Sequence, residues 1–544
     1  MKIHTPSLHR FGVVALAVCA TAAAQAKSPH SISVAPISTI ASGSFLTSAA
    51  EIAAHDPGTQ RLLVVNARAA QIDVIDIANP AAPVLRPELA LDMTPYGAVA
   101  NSVAVRGGLI AVAVEAEDKT QPGKVVFFDR NLQFISAVEV GAQPDMLTFT
   151  PDGMTVLTAN EGEPNSDYTV DPEGSVSIIN VANGAAQATV QTAGFGAFNG
   201  QTREALFNGT GSGSKPAVRV YGPDATVAQD FEPEYITVSH DSKTAWVTLQ
   251  ENNAIAIIDI PSATVTAVQG LGTKNHNMAV NGSGSSNALD ASDRDTKINI
   301  RTWPVKGFYL PDGIASIKSG SENFLVLAND GDTRDSSGYS EETRVGSMAL
   351  DPAVFPPAVA TDLKKSANLG RLKATTAQGD TAGNKVFKEI YTFGARSFSI
   401  RSESGALLWD SGDQFEQITA KAIPAFFNSN HETNKFDDRS DDKGPEPEGV
   451  TVGKAFGRTY GFIGLERVGG VMIYDLTEPT APEFVQYVNP RNFTQPTNTA
   501  AAGDLGPEGL LFISEENSPN GKPLLVTANE VSGTTTIFEI SKVK

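Results

Sequence analysis

Carboxylates recur at fixed places beside strand-like runs of this sequence. In GPEPEGV, residues 444–450, Glu446 and Glu448 alternate with prolines just before an apolar run, and GPEGLLF at residues 506–512 repeats the pattern with Glu508. A second acid follows about 16 to 22 residues later in each such segment, as Glu466 follows Glu448. Carboxylates held close together are ligands for hard cations such as Ca²⁺. The pattern therefore indicates a metal-binding or acid–base site.

The spacing between the two acids fits a β-hairpin. At about 3.3 Å per residue, a strand of roughly seven residues, a short turn and an equal return strand bring the chain back to the face it left. Both acids of a hairpin then lie at the same end, and the proline fixes φ where the first strand begins. The residues predicted to bind metal are Glu161, Glu234, Glu251, Asp312, Asp330, Glu508 and Glu530.

Two arginines accompany the acids. Arg467 directly follows Glu466, and Arg344 lies in GYSEETRVG. A guanidinium beside a metal suits bidentate capture of a phosphate or carboxylate, so Glu448, Glu466, Arg467 and Arg344 form the predicted catalytic group. Two plainer interpretations stay open: each arginine pairs with a neighbouring acid, and a Pro-Asp or Pro-Glu pair is ordinary turn chemistry that caps backbone amides.

The elements that position these residues are repeated. Short alternating or apolar runs are separated by Gly, Pro, Asn and Asp turns, and long amphipathic helical patterns are nearly absent, which indicates an all-β chain. Copies of the unit begin at Glu51, Asn101, Pro144, Pro233, Pro311, Pro447 and Pro507. Seven four-stranded units predict a seven-bladed β-propeller, and the N-terminal segment SISVAPISTIASGSF is expected to supply the outer strand of the last unit. Two β-sandwich domains are the alternative fold.

Long insertions separate some of the repeats, at residues 190–230, 270–308, 335–390 and 410–445. Loops of this length in a compact domain are usually functional or disordered. Two of them contain acid clusters, LDASDRDTKIN and FDDRSDDKG. Neither has the spacing of an EF-hand, so structural Ca²⁺ binding and solvated loop charge both remain open.

Composition limits the location and the partners. Lysine plus arginine total 41 against 61 acids, a net charge of −20 that argues against a nucleic-acid partner. Residues 1–26, a basic start followed by FGVVALAVCATAA and a small-residue cleavage signal, are predicted to be a signal peptide; a lipoprotein interpretation fits less well because bulky Val18 precedes Cys19. We expect one domain over residues 27–544, without cysteine or a membrane span, in the periplasm or outside the cell.

Long motifs in the chain resemble a known family. VAQDFEPEYITVSHDSKTAWVTLQENNAIAIIDI, LDASDRDTKINIRTWPVKGFYLPDGIAS, RSDDKGPEPEGV and TANEVSGTTTIFEI resemble exported proteins of the choice-of-anchor I family. That family includes proteins described as atypical alkaline phosphatases and is similar in architecture to phytase-like, calcium-dependent propellers. The resemblance implies a channel mouth that holds Ca²⁺ together with a second divalent metal and acts on a small phosphate ester. The absence of a cysteine in residues 27–544 puts an iron centre in doubt, and no surface anchor follows IFEISKVK, so a freely exported form is expected.

The residues and the resemblance together favour a metal-dependent phosphoric-ester hydrolase, in which metals clamp the ester and activate water. A non-enzymatic propeller that binds a surface protein or glycan, with Ca²⁺ as a structural brace, is the alternative. Lactone or sugar-acid chemistry on the same carboxylates is a third hypothesis.

Overall fold

Antiparallel sheets of four or five strands make up most of the molecule. The computed structural model of the protein describes residues 32–543, apart from 44, 46–48, 202–217 and 381. The predicted signal peptide therefore lies outside the described residues. Within them, seven sheets have four or five strands each, and three smaller sheets have two or three.

The seven larger sheets are called blades 1 to 7 in chain order of their first strands. Blade 1 consists of Ala53–Asp56, Arg61–Asn66, Gln71–Asp76, Val84–Leu85 and Leu91–Asp92. Blade 2 consists of Val99–Arg106, Leu109–Glu115, Pro122–Phe128 and Phe134–Ala142. Blade 3 consists of Pro144–Phe149, Thr155–Asn160, Ser175–Asn180 and Thr189–Gly194.

The later blades have the same four-strand plan. Blade 4 consists of Pro233–Val238, Thr244–Leu249, Ala254–Asp259 and Thr264–Gly270. Blade 5 consists of Ile314–Ser319, Glu322–Asn329, Ser397–Ser402 and Leu407–Asp410. Blade 6 consists of Pro447–Ala455, Arg458–Leu465, Val471–Asp475 and Glu483–Val488. Blade 7 consists of Pro507–Ile513, Leu524–Asn529, Thr534–Lys542 and the N-terminal Ile32–Ala41.

The middle strands are buried on both faces because each blade is covered by a neighbour on either side. Thr244–Leu249, with the sequence TAWVTL, is buried at every position after the first. β-Branched and aromatic side chains suit such strands because they fill the space between packed sheets. Outer strands such as Phe134–Ala142 are covered on one side only, and most of their residues are partly or fully exposed.

The blades form a closed ring. The first strand of each blade contacts the first strand of the next, and blade 7 contacts blade 1. These inner strands all line one axial channel of about 550 Å³. The N-terminal strand completes blade 7 by pairing with its third strand, from Ile32 opposite Lys542 to Ala41 opposite Thr534. The molecule is therefore an all-β propeller closed by an N-terminal strand, as the repeats predict.

The insertions are more ordered than loops. They contain the short strands Thr273–Asn275, Lys306–Phe308, Glu342–Arg344, Ala349–Leu350, Lys373–Thr375, Val386–Phe387 and Tyr391–Thr392, and the α-helices Val227–Asp230, Pro357–Leu363 and Gln414–Ala422. The 3₁₀ turns of the described chain are Ala67–Ala69, Pro87–Leu89, Ala185–Gln187, Gly196–Phe198, Val345–Ser347, Pro424–Phe426 and Ala500–Ala502. Trp303, Leu369 and Leu372 belong to a hydrophobic cluster made entirely from residues 289–390, so the insertions have a core of their own.

Glycines set how closely the inner strands approach each other. A β carbon on Gly449 would lie 2.0 Å from the carbonyl oxygen of Glu508, and one on Gly509 would lie 2.0 Å from that of Glu51. A β carbon on Gly313 would likewise lie 2.6 Å from the carbonyl oxygen of Glu448, the corresponding acid in blade 6. The glycine after the acid is thus required because backbone of the next blade occupies the space of a side chain.

We expect Gly509→Ala to destabilise the ring by roughly 1–3 kcal/mol, because the new methyl group overlaps backbone that cannot move freely. Gly194→Ala is the matched control, since a β carbon there meets no atom within 4 Å. Thermal unfolding of both variants checks the prediction, and an equal melting temperature for the two would contradict it.

Candidate metal centre at the channel mouth

The acids at the start of the inner strands lie on β-bulges. In blade 6, Pro447 pairs with Leu465 but Val450 pairs with Ile463, so one extra residue is inserted where Glu448 stands. The same register shift occurs between the first two paired residues of the inner strands of blades 3, 4 and 7. A bulge bends its strand and redirects a side chain. It therefore explains how an acid at a strand end is turned towards the mouth.

The residue before the proline contributes a second bend. Gln143, Leu310, Glu446 and Gly506 each directly precede a proline that begins a repeat, and all four have a positive φ, between 43° and 68°. Proline at the next position disfavours the helical conformation of the residue before it. At these four positions the chain nevertheless adopts a left-handed conformation, and the proline and its acid directly follow this tight step.

The acids converge on a cavity of about 360 Å³. Its charged lining residues are Glu51, Asp145, Asp330, Asp332, Lys443, Glu448, Glu466, Arg467, Glu508 and Glu530. Eight carboxylates thus face one lysine and one arginine. The structure brings six of the predicted site residues to this cavity, namely Asp330, Glu448, Glu466, Arg467, Glu508 and Glu530. It adds Glu51, Asp145, Asp332 and Lys443, which were not among the predicted site residues.

Three of these carboxylates are close enough to bind one ion. Asp330, Glu448 and Glu466 each offer an oxygen, and these oxygens lie within 4.8 Å of one another. Asp330 Oδ1 and Glu448 Oε2 are buried and have no hydrogen-bond partner. Two ligand oxygens of one Ca²⁺ lie at most about 5 Å apart, because each is 2.3–2.6 Å from the ion. The donor set therefore fits a hard divalent cation.

A histidine joins the cluster on the far side of Glu466. His431, Glu466 and Glu530 form a second group whose ligand atoms lie within 4.8 Å of one another. Nη1 of Arg467 lies 2.8 Å from Nε2 of His431, so the imidazole is also in contact with a cation. His431 received no role from the sequence, because no other histidine stands at ligand spacing from it.

The other four predicted ligands, Glu161, Glu234, Glu251 and Asp312, lie beyond this group. Glu234 and Asp312 are neighbouring acids, and burial raises the pKa of both, with the charges of Glu251 and Asp312 adding to the effect in Glu234. Glu251 lines an adjoining cavity of about 480 Å³ that shares Asp332 with the first. Glu161 accepts a hydrogen bond of 2.5 Å from Gln143. The acids of blades 3 and 4 thus extend the negative surface sideways from the mouth.

Arg344 lies elsewhere. It does not line the cavity, and its Nη1 donates to Asp441 Oδ2 at 2.9 Å and to the carbonyl of Asp441 at 3.0 Å. Asp441 belongs to the fourth insertion, so the structure separates Arg344 from the predicted catalytic group. The contacts of Arg344 fit the plainer interpretation, in which the arginine is the charge partner of an acid.

The two glutamates of GPEPEG have opposite surroundings. Glu446 accepts hydrogen bonds from Arg439 at 2.7 Å and from Arg467 at 3.1 Å, and Lys443 lies 3.2 Å away. Burial would raise its pKa, but these three cations outweigh burial and lower it. For Glu448, burial and the charges of Asp330 and Glu466 raise the pKa well above the ordinary value. Glu446 therefore binds the local cations. The negative charge of Glu448 is not balanced to the same extent.

Lys443 is the positive charge nearest to the three-acid group. Its Nζ lies 2.9 Å from Asp330 Oδ2 and within 3.2 Å of Glu446. Glu466 is also stabilised in its ionised form by its neighbours. Burial opposes its ionisation, but its hydrogen bond with His431 and the charge of Arg467 lower its pKa. Excess negative charge remains on the other carboxylates of the cavity. Burial, followed by neighbouring acids, raises the pKa of Glu51 to about 8 and that of Asp145 to about 7.

The fold and the site define an acidic β-propeller with a carboxylate-lined channel mouth. The chain belongs to the choice-of-anchor I family, whose domain matches residues 51–479. In the part of the chain that the structure describes, no helix is both long and apolar enough to cross a membrane.

Two named proteins are similar to parts of the chain. Gigasin-3a of Magallana gigas is 30% identical over 192 residues, which cover 33% of this chain and 66% of that protein. The mesenchyme-specific cell surface glycoprotein of Strongylocentrotus purpuratus is 28% identical over 284 residues, 46% of this chain and 35% of that protein. The chain therefore spans less than two thirds of either relative.

Two solved structures match more than nine tenths of the chain, but they share little sequence identity with it. Hydrazine synthase of Kuenenia stuttgartiensis matches with a TM-score of 0.42 and 13% identity over 92% of this chain and 99% of its own. The β-propeller domain of Cps50 (Swd1) of Myceliophteria thermophila matches with a TM-score of 0.39 and 6% identity, over 93% of this chain and 100% of its own.

In chelator, we expect the melting temperature to fall as pH rises from 5 to 8. Glu51 and Asp145 have raised pKa values of about 8 and about 7, against ordinary values of 4.5 and 3.8. Between these limits the folded protein holds protons that the unfolded chain has released, so the free energy of unfolding decreases as pH rises. Scanning calorimetry at several pH values measures the slope.

Ca²⁺ is expected to flatten this decline, because a bound cation replaces the protons that reduce repulsion. The variant Glu51→Gln with Asp145→Asn should flatten it without Ca²⁺. A melting temperature that rises with pH in chelator would contradict the electrostatic account of the mouth.

Proposed function

We propose that the protein is an exported, Ca²⁺-dependent hydrolase of small phosphate esters, with Asp330, Glu448 and Glu466 holding the cation. The observation that carries this proposal is the convergence of these three carboxylates within 4.8 Å, with a buried, unpartnered oxygen on both Asp330 and Glu448. Buried polar atoms without partners are rare in folded proteins, and a bound ion or water is one way to satisfy them.

The charge around the cluster supports a phosphate-containing substrate. Lys443 and Arg467 line the same cavity as the three acids, and a guanidinium can bind two phosphoryl oxygens at once. A cavity of about 360 Å³ is in the range of small-molecule sites. The net charge of −20 disfavours a long polyanion, so a compact ester is the proposed substrate.

The positions of the residues in the cavity suggest what each would do in hydrolysis. A divalent cation in this site would supply charge stabilisation at the phosphoryl oxygens and lower the pKa of water. Arg467, held by Glu446 and Glu466, orients the phosphoryl group. Glu51 lines the cavity without belonging to either three-residue group, and with a pKa of about 8 it is ionised, and able to accept a proton from water, at alkaline pH. We therefore place Glu51 as the general base.

Export is part of the proposal. It rests on the predicted signal peptide over residues 1–26 and is supported by the similarity to a cell surface glycoprotein. An exported protein meets the millimolar Ca²⁺ that weak extracellular sites use.

A non-enzymatic propeller with structural Ca²⁺ is the second candidate. It is favoured by the ion pairs that already occupy Lys443 and Arg467, with Asp330, Glu446 and Glu466 as their partners. In that case the cation would brace the inner strands and the outer faces would bind a surface protein or glycan.

Glu448→Gln should weaken Ca²⁺ binding by more than about tenfold, because it removes a ligand oxygen of the cluster. Isothermal titration with Ca²⁺ after chelator treatment measures the effect. Glu483→Gln is the matched control, since Glu483 is an exposed glutamate of the same blade. Equal affinities for both variants and the unmodified protein would overturn the metal assignment.

Hydrolysis of a chromogenic phosphomonoester or diester should require Ca²⁺ and stop in chelator. Glu51→Gln is expected to lower kcat by about 100-fold while the bound Ca²⁺ stays unchanged, as the loss of a general base predicts. Steady-state kinetics on phosphate esters, with lactones tested beside them, measure this effect. Ca²⁺ binding without turnover on any ester would favour the structural role, and turnover of lactones alone would favour the third chemistry.

A further inference from the structure

The two acid clusters of the insertions meet in space. LDASDRDTKIN contributes Asp293 and FDDRSDDKG contributes Asp441, and Arg371 bridges them with hydrogen bonds of 2.8 Å to each. The loops are therefore packed together, although nearly 150 residues separate them in the chain.

Part of this joint cluster is neutralised by arginines. Asp293 also contacts Arg294, and Asp441 also contacts Arg344. Asp442 is paired with Arg439 at 2.9 Å. These acids need no further cation.

The other part is different. Asp290 and Asp437 are 0% and 1% exposed, and within the described residues neither carboxylate has a salt bridge to a lysine or arginine. The charged groups that act most on Asp437 are Asp290, Asp295 and Glu416, all of them acids. Of these, Glu416 is held by Arg396 at 2.7 Å.

Three oxygens in this part are buried and have no hydrogen-bond partner: Asp437 Oδ2, Asn428 Oδ1 and Ser429 Oγ. The amide nitrogen of Asn428 donates to Glu416 at 3.1 Å and to Ser440 at 2.9 Å, which fixes which end of the amide is the nitrogen. Ser440 in turn donates to Asp437 Oδ1, so one hydroxyl links the amide nitrogen of Asn428 to the carboxylate of Asp437.

The backbone at this place is strained as well. Asn428 has φ of 44° and Asp437 has φ of 68°. Left-handed conformations of residues other than glycine persist where the surroundings determine them, and they cluster at ligand sites.

We propose that Asp437, Asn428, Ser429 and Asp290 bind a structural Ca²⁺ that fastens the two insertions together, at a site separate from the channel mouth. All donors are oxygens, as Ca²⁺ prefers. A water molecule could satisfy orphaned oxygens, but it would leave the repulsion among the buried acids in place. A divalent cation answers both needs. This site does not depend on the proposed hydrolase activity.

The test uses the full-length protein with Glu448→Gln, which weakens the mouth site and leaves the insertion site to be measured alone. We expect this protein to bind one Ca²⁺ less per chain when Asp437→Asn is added, and to keep that ion when Asp438→Asn is added. Asp438 is the matched control, because it lies next in the chain and is paired with Lys435. Equilibrium dialysis with elemental analysis counts the ions.

Melting temperatures give a second test, because Asp437→Asn is expected to act differently in chelator and in Ca²⁺. In chelator, Asp437→Asn should unfold at the same temperature as the parent or higher, because it removes a buried negative charge. In Ca²⁺ it should lack the rise in melting temperature that the parent and Asp438→Asn show. A purely structural role of Asp437 would instead lower the melting temperature in both conditions.

Unchanged ion stoichiometry in Asp437→Asn would overturn the inference, even if the channel mouth still binds Ca²⁺. If Asp437→Asn fails to fold, Ser429→Ala removes one donor with little change in volume. It should weaken Ca²⁺ binding severalfold, and an unchanged affinity in that variant would equally overturn the site.

Discussion

Backbone touches backbone where the inner strands of neighbouring blades begin, and the acidic mouth depends on that contact. The glycine after the acid in blades 5, 6 and 7 lies against the carbonyl of the acid in the next blade. Carboxylates attached to such closely packed backbone cannot move far apart. The proximity of the negative charges is therefore a property of the ring itself, and ions or protons must compensate for it.

The molecule places its own cations unevenly around this ring. Glu446 gathers Lys443, Arg439 and Arg467 on one side of the mouth. These three cations are partly buried beside a single glutamate, and two of them also pair with neighbouring acids, Lys443 with Asp330 and Arg467 with Glu466. The side of the mouth formed by blades 7, 1 and 3 has no comparable set among the described residues that line it, and burial and neighbouring acids raise the pKa of Glu51 and Asp145 there.

Local patterns were enough to predict the propeller and much of the mouth, because strand, turn and acid recur within one hairpin. Glu448 and Glu508 could be found since PEG opens a strand at both places. Contacts between distant segments could not be predicted. Glu51 has no proline to mark it, and Arg344 is bound by an acid 97 residues away in an insertion. Nor does alternation of residue types reveal the β-bulges, because one extra residue in a short strand changes the pattern too little.

The strand that completes blade 7 has a kinetic meaning. Thr39 and Thr536 meet side by side across a sequence separation of 497 residues, so this pairing forms only after nearly the whole chain is available. Contacts of such high order are slow to establish, since the entropy of a very long loop is lost before they form. Once formed, this pairing holds the N-terminal strand against the third strand of blade 7. We expect spontaneous opening of the ring to begin at this pairing, so that slow unfolding adds to equilibrium stability in protecting the fold.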